Sequence, residues 1–133
     1  MRAVRYEGPG KGVVVVRSAP EPKAPEGEAI IRPRKVAVGG AERAVAAGLA
    51  GPEPITLGHE FVGIVESVNP SKAQGERARA MVGKRVVGSA TAVCGECDLC
   101  RSGLSNHCRQ RTTLGAKGRD GCFADKFRLP INS

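Results

Sequence analysis

Four of the five cysteines lie within fifteen residues, in the segment AVCGECDLCRSGLSNHC, with the spacing C-x2-C-x2-C-x7-C. They are Cys94, Cys97, Cys100 and Cys108. Ligands two residues apart can converge on one point while backbone amides face the sulfurs, and Zn²⁺ favours four thiolates in a closed, structural tetrahedron. The spacing therefore predicts a structural-zinc lobe over residues 92–111.

Two other uses of clustered cysteines stay open from the spacing alone. Disulfides would suit a secreted protein, but the N-terminus has no signal-peptide shape. An iron–sulfur cluster would use the related run C-x2-C-x2-C-x3-C-P, whereas here the last gap is seven residues and Arg109 follows Cys108. We favour zinc, and we interpret His107 as a surface residue and the isolated Cys122 as a small buried hydrophobe.

Length and composition limit the class of protein. A chain of 133 residues predicts one domain with its own core. Three Phe, one Tyr and no Trp mean that this core is built from aliphatic side chains. No apolar run approaches the ~18 residues that a membrane span needs, so we expect no membrane association and a cytoplasmic location, where disulfides are rare.

The formal net charge of +8 raises the question of an acidic partner. A basic face is the electrostatic footprint of nucleic-acid binding. Here the Lys and Arg residues are dispersed, and acidic residues interrupt two of the three densest basic stretches. We therefore expect a solvated basic surface and no nucleic-acid partner.

Short alternating or β-branched runs dominate the chain and predict a mostly β fold. The predicted strands are residues 3–6, 12–17, 28–38, 61–68, 84–89 and 122–129. Strict alternation is expected in 28–38, with Pro33 placing that strand at an edge or a bulge. A short helix is predicted over 41–49 and a turn over 51–54, while 69–83 reads as a loop or a second short helix.

The stretch TLGHEFVGIVESV, residues 56–68, is the second informative motif. Alone, His59 beside Glu60 is typical of an ordinary surface turn. Together, G-H-E-x2-G and the cysteine run about 35 residues later resemble the zinc-type medium-chain alcohol dehydrogenases. Residues 83–86 (GKRV) resemble that family's G-D-R-V, and 121–124 (GCFA) its G-x-F-A-E. The resemblance is closest to the branch that includes sorbitol, threonine and glucose dehydrogenases.

This resemblance implies a GroES-like, partly open β-barrel with one or two short helices and a structural-zinc lobe. It covers essentially all of residues 1–133, but only the first half of the family's architecture. A Rossmann domain follows in family members, and no G-x-G-x-x-G after a strand exists in this sequence. We therefore expect NAD(P) to bind only in a full-length parent, which would oxidise an alcohol, polyol or sugar.

The resemblance also implies a catalytic zinc site, whose residues are altered here. His59 matches the histidine ligand, and Glu60 matches the glutamate that lies close to the metal. Gly39 stands where the first ligand, a cysteine, belongs, and Ala41 stands where a hydroxyl would relay the proton. Glu42 replaces the aspartate that orients the histidine.

The third ligand of the family lies beyond the last residue of this sequence. A catalytic zinc needs three protein ligands and an open position, so the site is expected to be vestigial and the chain inactive alone. The alternative is a non-enzymatic zinc-binding scaffold derived from the family. Self-association through the face that the Rossmann domain normally covers is also expected.

Overall fold

The computed structural model describes residues 1–49, 51 and 53–133. Short strands make up most of its regular structure, as predicted. The strands are β1 Ala3–Tyr6, β2 Val13–Val16, β3 Glu28–Val36, β4 Ile55–Thr56, β5 Phe61–Asn69, β6 Arg85–Val86, β7 Thr91–Ala92, β8 Thr112–Leu114, β9 Gly118–Arg119 and β10 Phe127–Pro130. The helices are α1 Gly40–Ala46, α2 Gly75–Arg79 and α3 Asp98–Arg101, and a 3-10 turn spans Ser105–His107.

The strands of the described residues form three open sheets. Their orders are β2-β1-β4, β10-β3-β5-β6 and β7-β8-β9. Every pairing is antiparallel except that of β8 with β9. The mostly β, partly open architecture is confirmed. The helices number three rather than one or two in this part of the chain, because the cysteine lobe contains one of them.

The core is aliphatic with one aromatic contact. Phe61 and Phe127 meet edge to face with their ring centroids 4.7 Å apart, a geometry that aromatic quadrupoles favour. Leu114 and Cys122 are completely buried in the same cluster. The prediction that Cys122 is a small buried hydrophobe is therefore confirmed.

The predicted strict alternation of β3 is wrong. Ile30 and Ile31 are both buried, and the pairing of β3 with β5 shifts register between them. A β-bulge of this kind lets two consecutive side chains face the core. A second register shift lies between Pro33 and Lys35, which agrees with the bulge expected at Pro33.

Several predicted boundaries are also corrected. The strand expected over 84–89 is reduced to Arg85–Val86, and the one expected over 122–129 begins only at Phe127. Before Phe127, Cys122 and Phe123 lie in bends whose amides donate to the segment that carries His59, and Ala124 forms an isolated β-bridge with Ala3. The predicted helix ends at Ala46 rather than at residue 49. The turn expected over 51–54 includes Pro52, which lies outside the described residues.

Along the described ranges, no helix combines the length and the apolar character that crossing a membrane would require.

Candidate metal centres

The lobe between β7 and β8 gathers the four predicted thiols. Their sulfur atoms all lie within 4.8 Å of one another. Cys94 Sγ is 3.5 Å from Cys108 Sγ and 4.0 Å from Cys100 Sγ. A tetrahedron with Zn–S bonds of ~2.3 Å has sulfur–sulfur edges of about 3.8 Å, and the two distances bracket that value. The cluster therefore fits a single Zn²⁺.

The same distances weigh against the two alternatives. All five cysteines are free thiols, and the sulfur separations are well beyond the ~2.05 Å of a disulfide. In a four-iron cluster each cysteine binds a different iron atom, which keeps the sulfurs farther apart than the ligands of one ion. His107 lies exposed on the 3-10 turn and is not a member of the cluster.

Backbone amides in the lobe donate to the sulfurs, as the two-residue spacing allows. Cys94 Sγ accepts from the amides of Cys97 at 3.4 Å and Glu96 at 3.5 Å. Cys97 Sγ accepts from the Cys100 amide at 3.5 Å and so caps α3. The Cys94 amide donates to Cys108 Sγ at 3.4 Å. These donors stabilise thiolates.

The thiols nevertheless do not ionise alike without a cation. The Cys100 amide is the main cause that lowers the pKa of Cys97 to about 6. Burial, followed by hydrogen bonding to Cys97, raises the pKa of Cys100 to about 12. Four adjacent negative charges repel one another, so a bound Zn²⁺ would be needed to hold all four as thiolates.

A second cluster forms around Glu42, in the first turn of α1. Glu42 is 5% exposed, and its Oε2 accepts from the Gly39 amide at 2.8 Å. Its Oε1 accepts from Nδ1 of His59, whose side chain is 26% exposed. One buried carboxylate thus brings Gly39 and His59 to the same place. These two residues are 20 apart in the chain, so only the fold joins them.

The carboxylate orients the imidazole. Burial by itself would raise the pKa of Glu42, but hydrogen bonds from the Gly39 amide and the His59 ring hold that pKa below its ordinary value. With Nδ1–H given to the carboxylate, Nε2 is left with a lone pair for a ligand or a proton. This is the arrangement in which a carboxylate fixes the ring of a metal-binding histidine.

The rest of the expected catalytic set is incomplete. Gly39 has extended backbone (φ −129°, ψ −163°) that any residue could adopt. A Cβ there would lie 3.6 Å from Glu42 Oε2, which is an ordinary contact. Glu60 and Ala41 are both exposed. Among the described residues, only the cysteine lobe brings together three or more side chains that could hold a metal.

The turn before His59 is constrained at Gly58. Gly58 has φ +98°, and a Cβ there would lie 2.3 Å from the ring of Phe123. The glycine of the G-H-E motif is therefore required both by conformation and by packing. A strand is expected over 122–129, but Cys122 and Phe123 instead donate backbone hydrogen bonds to the Gly58 and Leu57 carbonyls.

Comparison with known protein families agrees with this fold. Residues 25–133 match the family model described as the alcohol dehydrogenase GroES-like domain. The chain belongs to that family.

Individual relatives agree with the assignment. The chain is 32% identical to an L-threonine 3-dehydrogenase of Shewanella frigidimarina, over 98% of this chain and 38% of the relative. The solved alcohol dehydrogenase of Thermus sp. ATN1 superposes with a TM-score of 0.77 at 30% identity, over 98% and 38% of the two chains. A structure from Sinorhizobium meliloti, described as a zinc-binding dehydrogenase bound to NADP, gives 0.73 at 34% identity over 98% and 36%. The chain thus spans little more than a third of the length of these proteins.

Proposed function

We propose that residues 1–133 form the catalytic domain of a zinc-type, NAD(P)-dependent alcohol dehydrogenase, with a structural zinc in the lobe and a vestigial catalytic site at His59. The observation that carries the proposal is the Glu42 carboxylate, which holds the Gly39 amide and the His59 ring together. A surface turn of no function would not need a buried carboxylate to orient a partly exposed imidazole. Zinc at the lobe supplies stability, and His59 Nε2 remains available at the second site.

In this proposal only a full-length parent binds the cofactor and the substrate. The solved relative bound to NADP supports a nicotinamide cofactor, the threonine dehydrogenase relative supports a substrate with an alcohol group, and the motif resemblance extends the proposed substrate class to polyols and sugars. Within residues 1–133 we propose no Rossmann domain, since no phosphate-cradling glycine turn precedes a helix in the sequence. Hydride transfer by this chain alone is therefore not expected.

Calorimetric titration with NAD and NADP tests this domain content. We expect no measurable heat of binding by the zinc-loaded chain, and no reduction of either cofactor with a panel of alcohols, polyols and sugars. A dissociation constant in the micromolar range, or turnover dependent on His59, would contradict the proposal that residues 1–133 alone neither bind NAD(P) nor transfer hydride.

The alternative is a non-enzymatic zinc-binding scaffold derived from the same family. One observation favours it: nothing in the backbone or packing at position 39 requires glycine, yet the metal-binding side chain of the family is missing there. Zinc titration with the lobe already filled separates the two. Weak binding that disappears in His59→Asn supports a vestigial dehydrogenase site, whereas no response at His59 supports the scaffold.

We propose a second copy of this chain as the partner, through apolar surface. Val38, Leu49 and Val87 are 73%, 80% and 72% exposed, and exposed apolar side chains favour association when they form a patch. Sedimentation velocity over a range of concentrations would detect this self-association.

Nucleic acid is not a partner in this proposal, because basic residues such as Arg32, Arg119 and Lys126 are paired with carboxylates. The four free thiols suit the reducing cytoplasm.

A further inference from the structure

Residues 114–123, which we call the bridging segment, follow the zinc lobe directly and pack against the turn that precedes His59. A Cβ at Gly115 would lie 2.4 Å from the carbonyl oxygen of Gly58, and one at Gly121 would lie 2.3 Å from the same atom. Such distances exclude any side chain at either position. The bridging segment therefore touches the backbone of Gly58 from two sides.

Hydrogen bonds fasten this contact. The Cys122 amide donates to the Gly58 carbonyl at 3.0 Å, and the Phe123 amide donates to the Leu57 carbonyl at 2.9 Å. The Cys122 thiol also donates to the Glu60 carbonyl at 3.6 Å. The backbone on both sides of His59 is thus held by the bridging segment, while Glu42 holds the ring.

The other end of the bridging segment belongs to the stem of the lobe. The stem consists of β7 and β8, which pair through only two residues each. Leu114, the last residue of β8, is fully buried, and its amide donates to the Ala90 carbonyl at 2.8 Å. A two-residue ladder is marginal in water by itself. β8 also pairs with β9 through Thr113 and Leu114, and the lobe closes the β7–β8 ladder by joining Ala92 to Thr112.

We propose that zinc in the lobe positions His59 through the bridging segment, so that the occupancy of the cysteine site controls the geometry of the His59–Glu42 pair. This inference rests on the proposed structural zinc. Metal binding and folding of the lobe are coupled, because four thiolates cannot converge without the cation. An empty lobe loosens β7 and β8, and the loosening reaches Gly58 through Gly115. The barrel itself remains folded.

Nuclear magnetic resonance of the metal-free chain during titration with ZnCl₂ tests the coupling. We expect the first equivalent to slow amide exchange of Cys122 and Phe123 at least ~10-fold, and to shift the His59 ring signals in step with the lobe signals. The chain has only two histidines, so His107 reports on the lobe and His59 on the distant site. A lobe that fills while His59 and Cys122 stay unchanged overturns the proposal.

The variant Cys97→Ser distinguishes coupling from direct binding at His59. Its lobe cannot close, so added zinc should leave the His59 ring and the Cys122 exchange rate unchanged. A His59 response that persists in this variant means that zinc binds there directly; it would overturn the coupling while leaving the proposed second metal site standing. Failure of the original chain to bind any zinc would overturn both the coupling and the proposed zinc lobe.

Two glycines of the bridging segment provide a matched pair of variants. Gly115 and Gly118 have nearly the same backbone, φ +69° and +68°, but only Gly115 meets Gly58, whereas a Cβ at Gly118 would meet the Thr112 side chain. We expect Gly115→Ala to weaken the His59 response to lobe filling several-fold and Gly118→Ala to preserve it. Equal responses in the two variants overturn the route through Gly115. If Gly115→Ala does not fold, the titration of the original chain still decides the proposal.

Discussion

The lobe and the His59 site are the two regions that the family resemblance implies as metal sites, and they differ in how much of the implied ligand set this chain carries. The lobe keeps all four of its ligands, and they lie within fifteen residues of sequence. The His59 site keeps its histidine and an orienting carboxylate, but it has glycine where a ligand belongs. The supporting framework of both regions is nevertheless ordered. A site that departs from the family's ligand pattern can therefore still have well-defined packing around it.

Removing one lobe ligand should have the largest effect. With Cys97→Ser we expect the zinc affinity of the lobe to fall by more than ~100-fold and residues 92–111 to lose protection, because metal binding and lobe folding are coupled. Metal analysis after dialysis and amide exchange measure this. Cys122→Ala, which removes the buried fifth thiol, is the control and should keep one zinc per chain. Retention of a full equivalent of zinc by Cys97→Ser would show that the lobe does not depend on four thiolates.

The framework of the His59 site can be broken separately. Gly58→Ala should destabilise the domain by about 3 kcal/mol, since it adds a steric overlap with Phe123 to the cost of a positive φ. Gly83→Ala is the matched control for Gly58→Ala, because Gly83 also has a positive φ (+80°) but has open space around it. This control should lower the free energy of unfolding by only ~1 kcal/mol. Urea unfolding of both variants gives the difference. Equal costs would mean that Phe123 can move aside and that the turn before His59 is less constrained than it appears in the fold.

Restoring the missing ligand should make the two regions more alike. Gly39→Cys places a thiolate beside Glu42 and near His59, and the extended backbone accepts the side chain without strain. We expect the second equivalent of zinc to bind at least ~10-fold more tightly, because tight sites use three or four ligands. Zinc titration with the lobe already filled measures the affinity for the second equivalent in Gly39→Cys and in the control Gly39→Ser, whose side chain has a similar size but no thiolate. If the cysteine and serine variants bind alike, position 39 is not the site of the lost ligand.

The smallest effect is expected from neutralising the orienting carboxylate. The pKa of Glu42 is lowered in the folded state, so its contribution is complete above the ordinary value of 4.5 and is lost as the pH falls through the lower folded pKa. Glu42→Gln should therefore cost about 1–2 kcal/mol at pH 7 and less near pH 3. Urea unfolding at both pH values measures this, with the exposed Glu76→Gln as the control. A cost that does not change with pH would mean that shape, rather than charge, is what Glu42 supplies.

The sequence predicted the lobe well because its ligands are close together in the chain. Two-residue spacing dictates where sulfurs and amides can point, and this is local geometry. The family motifs in turn identified His59 and Glu42 as partners, although spacing alone says nothing about two residues 17 positions apart. The hydrogen bond between them exists because α1 and the turn before β5 meet in the fold.

Three features of the fold depend on tertiary contacts and could not be predicted from the sequence. Ile30 and Ile31 are both buried where a bulge shifts the register of β3, and strict alternation could not predict this. Residues 122–125 read as a strand, yet Cys122 and Phe123 hydrogen-bond to Gly58 and Leu57, and of these four residues only Ala124 forms a β-bridge. The two-residue strands β4 and β9 are too short to carry a periodic signal and exist only through their partners.

The sequence by itself determined a mostly β domain of the alcohol dehydrogenase type and a cysteine lobe suited to zinc, because periodicity, turn residues and ligand spacing act over a few residues. Only the tertiary structure decided that the turn bearing His59 rests on the segment that leaves the lobe. That contact depends on the missing side chains of Gly58, Gly115 and Gly121. Close approach of backbones is a property of two distant segments at once, and neither segment encodes it alone.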